Sequence, residues 1–232
     1  MKKPSVIILL GAPGAGKGTQ AELLDEKLGS YYLETSKLIE ASVMQAKKGE
    51  HVNVGGKKYD LLNEKKLWET GILCSPPFVS YLVKQKINEL AKEGRDILMA
   101  GSPRTLVEGK DQIPFLKKLF GEKNIKIVVI EISPEETMRR NSRRRICELM
   151  RHPILSTEKA FLGLKHCPLD GSRLVRRKGL DDPETIKVRL REYKERTYPL
   201  IQYFKGEGLK VRRVNGEQSV GKVQEDILKA IK

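Results

Sequence analysis

Five apolar residues in a row, Val6-Ile7-Ile8-Leu9-Leu10, run straight into Gly11, the pattern of a strand buried on both faces. Tyr31-Tyr32-Leu33, Ile97-Leu98-Met99-Ala100, Ile127 to Ile132 and Val211 to Val214 predict further strands. Between them lie segments with helical spacing, in Gln20-Ala21-Glu22-Leu23-Leu24 and over Phe78 to Glu93, Glu108 to Phe120, Pro134 to Arg145, Pro183 to Phe204 and Val220 to Ile231. Strands alternating with helices predict an α/β fold, a three-layer sandwich on a central parallel sheet with ligands at the carboxyl ends of its strands.

Two segments break the alternation. Leu38 to Gly71 is mostly polar and helical, interrupted over His51 to Tyr59 by a hairpin pattern around Gly55-Gly56. Ile146 to Gly179 carries Cys147 and Cys167, His152 and His166, and many turn residues. Both are predicted to be flaps over the ligand cleft.

A chain of 232 residues buries one substantial core with room for inserted flaps. Its apolar runs fall short of the roughly 20 residues of a membrane span. The N-terminal apolar run belongs to the first strand rather than to a cleavable signal, so a cytoplasmic location is expected. The net charge of +15 would suit a nucleic-acid binder. The basic residues are spread along the chain, however, and aromatics are only 6%, which argues against a stacking platform for single strands. A site holding two phosphorylated ligands accounts for the charge better. Three scattered cysteines make no disulfide framework and are expected as reduced thiols or metal ligands. With no heptads and no long apolar edge, a monomer is expected.

The segment from Gly11 to Thr19 reads G-A-P-G-A-G-K-G-T, between the first strand and the first helix. Glycines at 11, 14, 16 and 18 let successive N–H groups turn toward one anion. Lys17 adds a point charge, Thr19 a hydroxyl for Mg²⁺, and the helix its positive end. Strand, loop and helix at this spacing predict a P-loop that binds a nucleotide polyphosphate.

Three stretches together extend the reading: Gly11 to Gln20, Gly101-Ser102-Pro103-Arg104-Thr105, and Asp181-Asp182-Pro183-Glu184-Thr185 leading to Arg189, Tyr193 and Pro199-Leu200-Ile201. With them the chain resembles adenylate kinases over essentially its full length. The resemblance implies a P-loop core at 1–33, 73–143 and 181–232, a flap over the nucleoside monophosphate at 34–72, and a lid over ATP at 144–180. It implies reversible transfer of the γ-phosphoryl of MgATP to AMP, giving two ADP, in nucleotide homeostasis and salvage. ATP would contact Gly14, Ala15, Gly16, Lys17, Gly18, Thr19, Arg144 and Gln218. AMP would contact Thr35, Glu40, Leu73, Cys74, Ser75, Gly101, Ser102, Pro103, Arg104, Glu108, Arg177 and Arg189. The catalytic set would be Lys17, Arg104, Arg144, Arg177 and Arg189, with Arg145 an alternative to Arg144. Arg140 and Arg144, four apart, would face the cleft from one helix.

The chain also departs from that family's pattern. Ala100 stands where an aspartate usually organises the magnesium waters, leaving Mg²⁺ to Thr19 and the phosphates. Glu40 takes the place of an arginine that meets the AMP phosphate; either Lys37 supplies the charge, or Glu40 turns away, or the acceptor differs. Glu108 replaces a glutamine that reads adenine, and a carboxylate only accepts. In the lid, Cys167-x-x-Asp170 matches half of a zinc pattern. His152 or His166 would complete a set such as Cys147, His152, Cys167 and Asp170; the alternative is a metal-free lid. Ala100, Glu40 and Glu108 keep two further functions open, a kinase for another monophosphate such as GMP and an ATP-binding regulatory protein of the same fold.

Overall fold

A computed structural model describes residues 4–150, 153–154, 161–177 and 180–232. Its centre is a five-stranded sheet in the order β10-β6-β1-β5-β2, formed by β1 (Val6–Gly11), β2 (Tyr31–Glu34), β5 (Ile97–Ala100), β6 (Ile125–Glu131) and β10 (Val211–Asn215). Every pairing is parallel: Ile8 lies opposite Met99 on one side and Ile127 on the other. All six residues of β1 are buried, as its unbroken apolar run requires of a strand covered on both faces.

The strand's alternation separates two cores. Val6, Ile8 and Leu10 join Met99, Val129, Phe78, Val83, Leu116 and Phe204, beneath α4 (Pro76–Lys92), α5 (Leu106–Phe120) and α8 (Leu200–Gly206). Ile7 and Leu9 join Leu98, Val128, Ala21, Leu24, Val223 and Ile227, beneath α1 (Lys17–Leu28) and α9 (Val220–Ala230). The helix starts carry local signals: Thr105, Ser133 and Ser219 accept from the N–H groups of Glu108, Glu136 and Lys222, caps worth about 1 kcal/mol each.

Two excursions leave this core. After α2 (Thr35–Val43), the antiparallel hairpin of β3 (His51–Val54) and β4 (Lys57–Asp60) leads into α3 (Leu61–Glu69); its turn is at Gly55-Gly56, as predicted. After α6 (Pro134–Arg143), a small antiparallel sheet pairs β7 (Arg145–Cys147) with β8 (Pro153–Ile154) and β9 (Leu174–Val175). Among the described residues no helix is long and apolar enough to cross a membrane.

Two predicted helices end differently. The run expected over Pro134 to Arg145 stops at Arg143, because Arg145 pairs with Ile154 in the small sheet. The run expected over Pro183 to Phe204 divides into α7 (Pro183–Glu192), a π-helical turn over Tyr193–Thr197, and α8. Tyr198 donates to Tyr193 across five residues at 2.8 Å, and Pro199, which lacks an N–H, cannot restore the four-residue ladder.

Candidate active site

The loop between β1 and α1 takes its shape from two left-handed glycines, Gly14 at φ 85° and Gly16 at φ 86°. A Cβ on Gly14 would lie 2.5 Å from Asn141 Nδ2, so a side chain is excluded by packing as well as by conformation. Gly18 is different from the expectation: it lies inside α1, and its missing side chain leaves space toward Tyr32. Lys17 folds back over the loop, its Nζ donating to Gly11 O at 2.8 Å and Ala12 O at 2.9 Å.

Lys17, Arg104, Arg144, Arg177 and Arg189 meet around this loop. Burial, and then Arg104, Arg189 and Arg144, push the Lys17 ammonium well below its ordinary pKa. Burial, with Arg177, Arg144 and Arg104, lowers Arg189 to about 9; burial and Arg177 lower Arg144 to about 10. Asp181 is one of the acids answering this charge. It holds Arg177 by two bonds, at 3.1 and 2.7 Å, and lies 3.9 Å from Arg144. Like charges gathered in a protected cleft attract a multivalent anion. Tripolyphosphate at about 100 times its Kd is therefore expected to stabilise the protein by about 2.7 kcal/mol, raising Tm by about 5–10 °C. A shift no larger than potassium chloride gives at equal ionic strength would contradict this.

The cleft encloses about 1830 Å³, open solvent included, and is lined by Gly14 to Thr19, Arg140, Arg144, Arg177, Arg189 and Gln218. A second pocket of about 510 Å³ is lined by Leu73, Gly101, Pro103, Arg104, Glu192 and Tyr193. Lys17, Gly101, Arg104 and Arg189 line both. The two pockets thus meet at a shared wall of three cations.

The structure places the residues of several alternatives that the sequence leaves open. Arg144 lines the cleft, whereas Arg145 bonds the carbonyls of Arg143 and Arg144 and lines a separate groove beside Phe161. Arg140 and Arg144 both reach the cleft, although Arg144 lies one residue beyond α6, with extended backbone. Lys37 lines the cleft beside Glu34, 3.0 Å away; Glu40 is not among the lining residues. Thr35 is buried, and its hydroxyl finds no partner among the described residues. Ala100 lines the cleft as expected and brings no carboxylate.

Other predicted acceptor residues support the pocket from behind. Cys74 is buried, its thiol pushed up to about 12 by burial and Glu64. The Ser75 N–H donates to Glu64 Oε2 at 2.8 Å. Glu108 is 2% exposed; its carboxylate accepts from Ser102 Oγ and Arg104 N at 3.0 Å and from Thr105 Oγ1 at 3.1 Å. Burial raises its pKa, and these donors oppose the rise.

Near β7 and β9, Cys147 Sγ, Cys167 Sγ and an Asp170 oxygen lie within 4.8 Å of one another. Cys147 Sγ donates to Asp170 Oδ2 at 3.0 Å, and this bond holds the Asp170 carboxyl well below the usual carboxylate range. His152 lies outside the described residues. His166 is exposed, pairs with Arg173 in an isolated bridge and is not in the cluster.

Sequence reasoning missed several supports. Glu192 accepts from Leu73 N at 3.2 Å and from Arg196 at 2.7 Å, tying the end of α7 to the pocket. Asn141, fully buried, packs on Gly14. Asp181 stood inside a quoted motif, but only its burial beside Arg177 gives it a role.

The family model for adenylate kinase matches residues 9–209. The adenylate kinase of Caldicellulosiruptor saccharolyticus is 33% identical over 229 residues, covering 97% of this chain and 98% of the relative. That of Chlamydia pneumoniae is 32% identical over 231 residues, covering 100% and 99%; one from Clostridium botulinum is 32% identical over 222 residues, covering 94% of each. These relatives span the P-loop, the shared cationic wall and both excursions, and the chain belongs to the adenylate kinase family, a nucleotide phosphotransferase that works with Mg²⁺ and ATP.

Proposed function

We propose that this chain transfers the γ-phosphoryl group of MgATP reversibly to AMP, giving two ADP. The observation that carries the reading is the wall of Lys17, Arg104 and Arg189 common to both pockets: two phosphorylated ligands, one on each side, would bring their phosphates together there. Phosphoryl transfer asks little covalent work of a protein, so positioning and charge stabilisation set the rate. The loop N–H groups and Lys17 would hold the donor's phosphates, and Arg104 the acceptor's. Arg144, Arg177 and Arg189 would stabilise charge spread over the transferring group. Thr19, which lines the cleft, would hold the Mg²⁺ that accompanies ATP and offsets its charge.

In this reading residues 1–33, 73–143 and 181–232 form the core, 34–72 the acceptor flap and 144–180 the lid. Closure would exclude water, strengthening each charge contact and preventing hydrolysis of ATP. A coupled assay from MgATP to AMP, GMP, CMP and UMP in parallel tests the reaction and the acceptor. AMP is expected to be the best acceptor. Preferred turnover with GMP would reassign the base, and tight ATP binding without turnover would make the protein a binder.

We also propose zinc in the lid. Two buried thiols and a carboxylate among the described residues suit Zn²⁺; the sequence offers His152, outside those residues, as a fourth ligand. Purified protein is expected to contain about one zinc per chain, as structural sites of this kind do. Cys167→Ser should abolish it and lower Tm. Full stability without zinc would indicate a lid held by the Cys147–Asp170 hydrogen bond.

A further inference from the structure

We infer that Gln112 and Ser102 are positioning residues for Arg104, acting through Glu108 by a network of buried hydrogen bonds. The inference rests on the reading of Arg104 as the arginine that grips the acceptor phosphate.

The chain begins on α4. Gln112 Nε2 donates to Ser80 Oγ at 3.2 Å and to Ser102 Oγ at 2.8 Å. Ser102 Oγ in turn lies 3.0 Å from Glu108 Oε2 and 3.0 Å from Gln112 Oε1, and its one proton serves these two acceptors. Glu108 Oε2 also accepts the backbone N–H of Arg104 at 3.0 Å. Ser80, Ser102, Gln112 and Glu108 are each no more than 2% exposed, and every polar side-chain atom among them that is shut off from solvent has a partner.

Such a line is unusual in its setting. Ser80 and Gln112 lie on helix faces whose neighbours, Phe78, Val79, Val83, Ile113 and Leu116, are core residues. Apolar side chains would fill this space without the desolvation cost of four polar groups. What the network adds is placement: buried hydrogen bonds restrain their members, and this network ends on the residue that must face a phosphate. Glu108 is a desolvated carboxylate whose neighbours include the Arg104 cation and the Cys74 thiol. Losing the Ser102 donor favours its protonation or rotation, and either frees the Arg104 backbone. The Arg104 guanidinium sits over Gly101, its Nη2 3.1 Å from where a Cβ would be, in space that the glycine leaves open.

The test is the pair Ser102→Ala/Gln112→Met, which removes both partners for apolar groups and so limits the stability cost. We expect KM for AMP to rise about tenfold, the loss of one charge-assisted hydrogen bond, with the Kd for MgATP unchanged. The acid-side loss of AMP affinity should also begin at higher pH, because Glu108 protonates more readily without Ser102. Gln112→Met alone should show the same selectivity at about threefold, a fraction of one such bond, if the pair does not fold. An unchanged KM for AMP, or AMP and ATP affinities falling together with Tm, would overturn the inference. Arg104→Ala separates the two levels: if it leaves KM for AMP unchanged, the acceptor assignment itself fails.

Discussion

Lys17→Met is expected to lower kcat by about 10³-fold, the scale set by removing a cation from a phosphoryl-transfer site. The same substitution should raise Tm of the ligand-free protein. Lys17 is half-buried in the cleft, and desolvation, then Arg104, Arg189 and Arg144, depress its pKa. A depressed ammonium pKa means the charged form is disfavoured in the folded state. The sign follows from linkage: between the folded pKa and the ordinary value of about 10.4, the unfolded chain binds more protons, so stability rises with pH through that window. Below it the full penalty applies, and methionine, similar in length and uncharged, removes it. Stabilisation by tripolyphosphate should shrink in parallel. Kinetics with single-turnover analysis and thermal unfolding, each with and without tripolyphosphate, check the three effects. Lost activity with a lower ligand-free Tm would mean that the bonds to Gly11 O and Ala12 O matter more than the charge.

Arg104→Ala is expected to lower kcat/KM for AMP by about 10²–10⁴-fold, the range from one lost preorganised donor to a lost transition-state arginine. Binding of MgATP should change by less than about threefold, because the loop, Arg144 and Gln218 remain in the cleft. Arg104→Lys should recover little, since an ammonium does not reproduce the planar fork that holds a phosphate by two bonds. Equal losses in donor and acceptor affinity would show that Arg104 serves the shared wall as a whole rather than the acceptor.

Much of this site was legible in the residues, and its limits have a physical cause. The strand, loop and helix around Lys17 declare themselves within about twenty-five neighbouring positions, where local periodicity and glycine spacing suffice. Arg104 and Arg189 were legible because each sits in a compact local motif. The convergence of their charges came only from the family resemblance and not from local pattern, since residues 17, 104 and 189 meet through the crossovers of a parallel sheet. Local pattern failed in the same way for Gln112, whose place on α5 looks like any amide on a helix until Ser80 and Ser102 arrive beside it. Arg144 and Arg145 are adjacent in sequence and face different cavities, because Arg144 is the single residue between the end of α6 and the start of β7.

The two-sided burial of β1 also bears on where this chain tolerates changes in length. Its even-numbered residues serve one core and its odd-numbered residues the other, so deleting one residue inside the strand would exchange the two sets and displace the glycines that follow. The hairpin of β3 and β4 is under weaker constraint: His51, Asn53, Lys57 and Lys58 are exposed and its turn projects outward. Insertions and deletions accepted over generations should therefore collect in that hairpin, while Val6 to Gly11 keeps its count.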